Sequence, residues 1–318
     1  MNGLGGYELE IERIFSEAAE EIARFPSPLD ESGLAILARC NPIGGGKGTN
    51  QISFLLPYWM REVTECRIET CRDLAVGNLF AMIHYFLMDD VMDHADTASV
   101  TAEPRLALAL GQLLQTLFFR RYSIHFPADS PLWEHYRDYV SDWAVAVSQE
   151  GRTLANPRDP KGLARKSAPV KLCATGLLLL SGQPEAIVLT EEAVDLVLAT
   201  LQLSDDWMDW LEDLAEEGNN AFLTLVRQRL SLADEEPLDE RKVKQSVYRG
   251  DSLRMLADIV KGHGERLRAI QNVPADLLSF QASIADGIVR DADRAEDATR
   301  LLVTGGGLSY FLSNHTEN

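Results

Sequence analysis

The stretch FLMDDVMDHAD, residues 86–96, sets Asp89, Asp90 and Asp93 directly after the apolar Phe86, Leu87 and Met88. Like charges at helical spacing repel, and an apolar border makes them harder to hydrate. Such a cluster asks for a positive partner that the neighbouring sequence does not supply. A second stretch, LQLSDDWMDWLED at 201–213, repeats the pattern with Asp205, Asp206 and Asp209. In each cluster the first and last aspartates are one helical turn apart, so their carboxylates share a face. The middle one flanks the same space. Two such clusters, far apart in sequence, can face each other across a helical cavity.

The surroundings read as helix almost throughout. Apolar residues recur at helical spacing from Tyr7 until Pro26 and Pro28 stop them. A short helix is expected over 30–40, then a loop, NPIGGGKG. A helix bent at Pro57 follows over 51–66, and another from Glu69 to Met92. The segments 102–126 and 131–151 are expected helical. One helix is expected through Pro169 over 162–182, and one over 190–218 capped by Thr190. Further helices are expected from Asn220, Asp239 and Pro274, with an irregular tail over 303–318. Alternating strand runs are lacking. The expectation is an all-α, single-domain helical bundle with a central cavity spanning 1–318. Segments 102–122 and 170–180, apolar on most faces, would form its inner wall.

Composition narrows the partners. The 318 residues are 46% hydrophobic, enough for one large core or two modest ones, and the net charge is -19. Such a surface disfavours nucleic acid and anionic membranes. Cys40, Cys66, Cys71 and Cys173 match neither a zinc spacing nor a disulfide framework. The first residues lack a basic-then-apolar leader, and the most apolar stretch, LCATGLLLLSG, is too short to span a bilayer. A cytoplasmic protein with reduced thiols is expected.

Paired carboxylate clusters bordered by apolar helix suit Mg2+, which takes a few carboxylates and completes its shell with water and phosphate oxygens. Ions so held can neutralise a diphosphate leaving group, while apolar walls shelter the carbocation left behind. Solvated acidic faces are the bland alternative, with 49 acidic residues in the chain. Calcium is the rival metal, but neither cluster has an EF-hand glycine loop. A di-iron Glu-x-x-His set is lacking too. Asp96, Glu212 and Asp213 read as surface charge.

On these motifs the chain resembles the isoprenoid synthase superfamily, closest to the trans-polyprenyl diphosphate synthases. DDVMD looks like that family's first aspartate-rich motif and DDWMD like its second. Gln202 matches the glutamine of the FQxxDD pattern, KSA at 166–168 resembles KTA, and GGK at 45–47 resembles the start of GGKRxRP. The resemblance covers roughly residues 30–220. It implies Asp89, Asp90, Asp93, Asp205 and Asp209 as metal ligands, with Asp206 joining the catalytic set. Lys47, Lys166 and Gln202 are implied at the diphosphate, with Lys171 as the runner-up to Lys166. Tyr85, Phe86 and Trp207 are the expected pocket residues, with core packing as the alternative for the last two. The cofactor implied is Mg2+, about three ions with the bound diphosphate. The substrate implied is an allylic prenyl diphosphate of roughly ten to twenty carbons. The assembly state stays open, a homodimer included.

The departures matter as much. Gly48, Asn50 and Gln51 stand where the family has two arginines and a proline, and HADTASVTAEPR follows the first motif without an arginine pair. Neither Asn nor Thr replaces an arginine fork at a diphosphate. The allylic half of the site looks intact and the isopentenyl half damaged. The expected activity is therefore a Mg2+-dependent class I terpene synthase that ionises and cyclises or rearranges one allylic diphosphate. Asn219 and Asn220 do not make the Asn/Ser/Glu triad common in bacterial terpene cyclases. The alternatives are a short-chain trans-prenyl diphosphate synthase using other cations, such as Arg61, Arg120 or Arg121, and a non-catalytic regulatory subunit.

Overall fold

The structure, a computed structural model, describes residues 6–43, 50–93, 104–150, 154–216, 218, 220–233 and 236–304, with Asp93 and 302–304 described by backbone alone. Among these residues there are helices and no strand. In chain order they begin with α1 (Glu8–Ile22), α2 (Leu29–Cys40), α3 (Ile52–Trp59), α4 (Arg61–Thr64) and α5 (Ile68–Asp93). Then come α6 (Pro104–Ser123), α7 (Leu132–Gln149), α8 (Pro160–Ala164), a 3-10 turn over Arg165–Lys171 and α9 (Leu172–Leu180). A 3-10 turn at Pro184–Ala186 leads to α10 (Ile187–Met208), α11 (Trp210–Ala215), α12 (Ala221–Leu230), α13 (Glu240–Tyr248), α14 (Ser252–Ala269) and α15 (Ala275–Thr304). They gather into two compact units.

The first unit holds Met1–Tyr139, Pro169–Thr190 and Pro274–Asp276. Its axis is α5, which packs against α1, α3, α6 and α9. Leu74, Val76, Leu79, Phe80 and Ile83 are wholly buried along it. Each such side chain contributes about 1.5–3 kcal/mol relative to exposure. Facing it, α6 buries Ala107, Leu110, Gly111, Leu114, Leu117 and Phe118, a helical stripe. At Gly111 the His84 side chain of α5 lies against the α6 backbone. The Gly111 carbonyl accepts from His84 Nδ1 at 3.0 Å, and a Cβ there would lie 3.1 Å from that atom. By length and composition Ile68–Met92 could also cross a membrane, a candidate absent from the sequence reading; 61% of its most apolar window is buried, as in a core helix.

Pro57 lies inside α3, which runs on to Trp59; Met60 separates α3 from α4. Proline has no N–H for the Ser53 carbonyl four residues back. The side-chain amide of Asn78 on α5 donates to that carbonyl instead, at 2.8 Å, and Tyr122 Oη donates to Asn78 Oδ1 at 2.6 Å. The orphan created by the proline thus becomes a link between α3, α5 and α6.

The second unit holds Val140–Ala168, Glu191–Val273 and Leu277–Asn318. Its core joins Ala199 and Leu203 of α10, Phe222 and Leu225 of α12, Val243 of α13, Val260 of α14 and Ile288 of α15. Thr200, buried on α10, donates to the Leu196 carbonyl at 2.8 Å and lies 3.2 Å from His263 Nδ1 on α14. Gln281 on α15 donates to the same hydroxyl at 3.3 Å.

Several expected boundaries are corrected. Pro169 interrupts the single helix expected over 162–182, leaving α8, a 3-10 turn and α9. Thr190 is inside α10 rather than at its start, and the helix expected over 190–218 breaks at Asp209. The helix α14 was not expected, although Leu253, Leu256, Ala257, Val260 and Leu267 carry the right spacing. Leu108 is 41% exposed, so α6 is buried on one face and not all round. The tail expected to be irregular lies, from 305 on, outside the described residues.

Candidate functional site

The second aspartate cluster ends α10. At Asp209 the backbone leaves the helix (φ -103, ψ 6) and α11 begins at Trp210. The Asp209 N–H still donates to the Asp205 carbonyl at 2.9 Å, so the one-turn relation survives the break. Burial, and then the negative charge of Asp209, push the Asp205 carboxyl up to about 6.

Asp206 is differently employed. It is 5% exposed, and both its oxygens are taken. Gln202 Nε2 donates to Oδ1 at 2.8 Å, and the Ala221 N–H donates to Oδ2 at 2.7 Å. Asn220 caps α12 by accepting from the Leu223 N–H at 2.8 Å. Its amide reaches the Asp206 carbonyl at 2.7 Å and Asp213 Oδ2 at 2.6 Å. Burial pushes the Asp206 carboxyl up to about 7, against two hydrogen bonds that hold it down. Through these bonds Asp206, expected in the catalytic set, joins α10 to the start of α12. Gln202, expected at the diphosphate, holds Asp206 in place. Asn220 and Asp213, set aside in the sequence, belong to this network. The signal for Asn220 was its place at a helix start; nothing in the sequence pointed to Asp213.

Beside the cluster lies a cleft of about 220 Å³ in the second unit. It is lined by Lys166, Arg165, Glu150, Gln149, Gln202 and Asp206 among others. Residues from 149 to 206, dispersed in sequence, thus meet around one opening. Lys166 Nζ lies 2.7 Å from the Glu150 carboxylate. Lys171, the runner-up, belongs to the first unit, where it is buried 5.0 Å from the centre of the Tyr139 ring. Trp207 does not line this cleft. Its indole N–H donates to Asp291 at 3.1 Å and its ring packs edge-on against Phe222 at 5.1 Å. The pocket role expected for Trp207 gives way to packing.

The first cluster belongs to the first unit, at the end of α5, where Asp89 and Asp90 are partly buried and Asp93 is described by backbone alone. Tyr85, one turn earlier, lines a cavity of about 10 Å³ with His84, Gln115, Phe118 and Tyr136. That is room for about one water. Burial raises the Tyr85 phenol strongly, and its hydrogen bond to Tyr136 raises it further. Tyr136 in turn accepts from Gln115. Phe86 is 44% exposed, which corrects the alternative that it packs in the core. One residue on from Tyr85, it is rotated by roughly 100° about the helix axis.

Arg121, a candidate for a second diphosphate, is fully engaged elsewhere. Its guanidinium meets Glu17 at 3.0 Å, Asp73 at 2.9 Å and Glu21 at 2.5 Å. Arg120 is 68% exposed and 3.8 Å from Glu21. Lys47, Gly48, Asp96, Asn219 and the 94–103 segment lie outside the described residues.

No protein-family model and no curated protein matches the sequence. Among solved structures, the chain is similar to the geranylgeranyl pyrophosphate synthetase from the archaeon Geoglobus acetivorans. The identity is 12%, the TM-score 0.62, and the match covers 89% of this chain and 98% of that one. The chain has the isoprenoid synthase fold. A T. brucei farnesyl diphosphate synthase complexed with a bisphosphonate also aligns, at 16% identity and a TM-score of 0.48, over 87% of this chain and 97% of that one.

Within this isoprenoid synthase fold the donor set can be tested against Mg2+. Among the described residues no three His, Cys, Asp or Glu side chains converge on one point. Calcium asks for a fuller cage of protein oxygens. Magnesium asks for less: one or two carboxylates, with water and phosphate oxygens completing the octahedron. Asp205 suits that, because burial and Asp209 leave its negative charge under-compensated. The residues fit Mg2+ shared with a phosphate group.

Proposed function

We propose that this protein is a Mg2+-dependent class I terpene synthase, ionising one allylic prenyl diphosphate and releasing inorganic diphosphate with a cyclised or rearranged product. The observation that carries this reading is the cleft at which Lys166, Gln202 and Asp206 meet beside Asp205. A lysine and an arginine in one opening with Asp206, which is next in the chain to the under-compensated Asp205, suit a metal–diphosphate pair. Magnesium, when bound, would neutralise the diphosphate and help it leave. Its proposed ligands are Asp89, Asp90 and Asp93 in the first unit and Asp205 and Asp209 in the second. Lys166 would orient a non-bridging oxygen of the leaving group. Asp206 is held in place by Gln202 and Ala221. Tyr85, bonded to Tyr136, would close the hydrocarbon end of the pocket.

Condensation with isopentenyl diphosphate is the second reading, favoured by the activity named for the archaeal structure. Against it, Asn50 stands at an expected arginine position, and Arg121 is held by three carboxylates. A second diphosphate would enter a chain of net charge -19 without those forks.

The test is incubation with Mg2+ and each of the ten-, fifteen- and twenty-carbon allylic diphosphates, with and without labelled isopentenyl diphosphate. Volatile or extractable terpene with no label incorporated is the expected result. Label in a longer diphosphate would reverse the order of the two readings. If no substrate is consumed, the non-catalytic subunit becomes the better account.

A further inference from the structure

Arg165 opens the 3-10 turn after α8, and its Nε–H is buried with no hydrogen-bond acceptor among the described residues. A buried donor left unmade costs about 1–3 kcal/mol. Its guanidinium lines the 220 Å³ cleft beside Lys166. That volume is below the range of roughly 300–1,000 Å³ typical for whole drug-sized ligands, and suits a small polyanion.

The acids of the cleft are Glu150, Asp159 and Asp206. Two of them are satisfied by uncharged donors. Asp159 accepts from the Gly162 N–H at 3.0 Å to cap α8, and Asp206 accepts from Gln202 and Ala221. Glu150 instead lies 2.7 Å from Lys166 Nζ, with the two side chains 36% and 30% exposed. A pair that open to solvent is worth only about 0–1 kcal/mol. A group carrying several negative charges can therefore replace Glu150 at Lys166 with little loss. It would also be met by Arg165, a second cation in the lining beside Lys166.

We propose that Arg165 is a second cation of this cleft for a diphosphate group, and that Glu150 is a built-in competitor which the diphosphate displaces from Lys166. The choice of diphosphate rests on the function proposed above; the opposition of Arg165 and Glu150 does not. Arg165 grips the anion, and Glu150 limits how tightly it is kept.

The experiment is calorimetric titration of the full chain with inorganic diphosphate in excess chelator, without divalent metal and at fixed low salt, with sulfate as the control. Arg165→Gln should weaken binding about tenfold or more. Glu150→Gln should tighten it by about threefold or more. Circular dichroism and thermal melts establish that each variant is folded. Unchanged affinity in Arg165→Gln overturns the proposal, as does unchanged or weaker affinity in Glu150→Gln or no binding by the parent protein. Should Arg165→Gln fail to fold, the sign of the Glu150→Gln effect decides alone. Equal binding of sulfate and diphosphate overturns the ligand assignment. If both effects are seen but no allylic diphosphate is ever consumed, the proposed function falls and the site stands. Turnover without either effect has the opposite meaning.

Discussion

The side-chain amide of Asn220 donates to the backbone carbonyl of Asp206 at 2.7 Å, so the cap of α12 is fastened to the end of α10. The Ala221 N–H returns a second bond to the Asp206 carboxylate at 2.7 Å. Removing either partner leaves buried polar atoms unmade, at about 1–3 kcal/mol. Asn220→Ala and Asp206→Ala should therefore each lower unfolding stability by about that amount in urea melts. Asp205→Ala should not, because it removes a carboxylate that burial and Asp209 already disfavour. Equal stability losses in Asp205→Ala and Asp206→Ala would show that the two neighbours do not divide their work this way.

Arg121 offers a similar contrast. It is 15% exposed and bound to Glu17, Glu21 and Asp73, whereas its neighbour Arg120 is 68% exposed. Truncating one member of a buried charge network leaves the others uncompensated, at about 3–5 kcal/mol. Asp73 also meets His125 Nε2 at 2.9 Å, which retains part of the balance. Arg121→Ala should destabilise by about 3 kcal/mol, and Arg120→Ala by less than about 0.5 kcal/mol. Chemical denaturation of the two variants side by side is the check, and similar midpoints would contradict it.

Burial, then the nearby Arg266, lower the His263 imidazole from 6.5 to about 4. The folded protein thus resists protonation that the unfolded chain accepts. This contribution is complete above about pH 6.5 and is lost as pH falls toward 4, by about 2 kcal/mol between pH 7 and pH 5. His84 is shifted in the same direction by burial, so the proof lies in a difference. The stability gap between the parent protein and His263→Gln should shrink in that window. A gap independent of pH would mean that His263 titrates normally.

The helices were legible wherever apolar spacing was uninterrupted, as over α1, α2 and α5. They were misread where a local break had a tertiary remedy. Pro57 is tolerated because Asn78 satisfies Ser53, and no window around Pro57 contains Asn78. Asp209 interrupts α10 without losing its bond to Asp205, which residue identities alone do not convey. The aspartate pattern marked the neighbourhood of the site, but spacing treats Asp205 and Asp206 alike. What separates them is the start of α12 arriving beside Asp206. Arg165 was missed because a lone arginine has no pattern; only its buried, unanswered N–H distinguishes it.

The metal provides the last contrast. No three donor side chains converge among the described residues, and Asp205 is a carboxylate burdened by burial and by Asp209. Such donors hold Mg2+ weakly by themselves, because the ion gives up water reluctantly and keeps several unless phosphate oxygens replace them. Inorganic diphosphate should therefore raise the Mg2+ affinity by about tenfold or more, a coupling of about 1.4 kcal/mol that must be equal in both directions. If turnover of an allylic diphosphate is established, Asp89→Ala and Asp205→Ala should each lower it by more than about 100-fold while folding normally. Calorimetry of Mg2+ binding with and without diphosphate reads the coupling, and steady-state assays read the rates. Tight Mg2+ binding without any anion would mean that the carboxylates form a closed site after all. Near-parental turnover in either variant would take the carboxylates out of the chemistry.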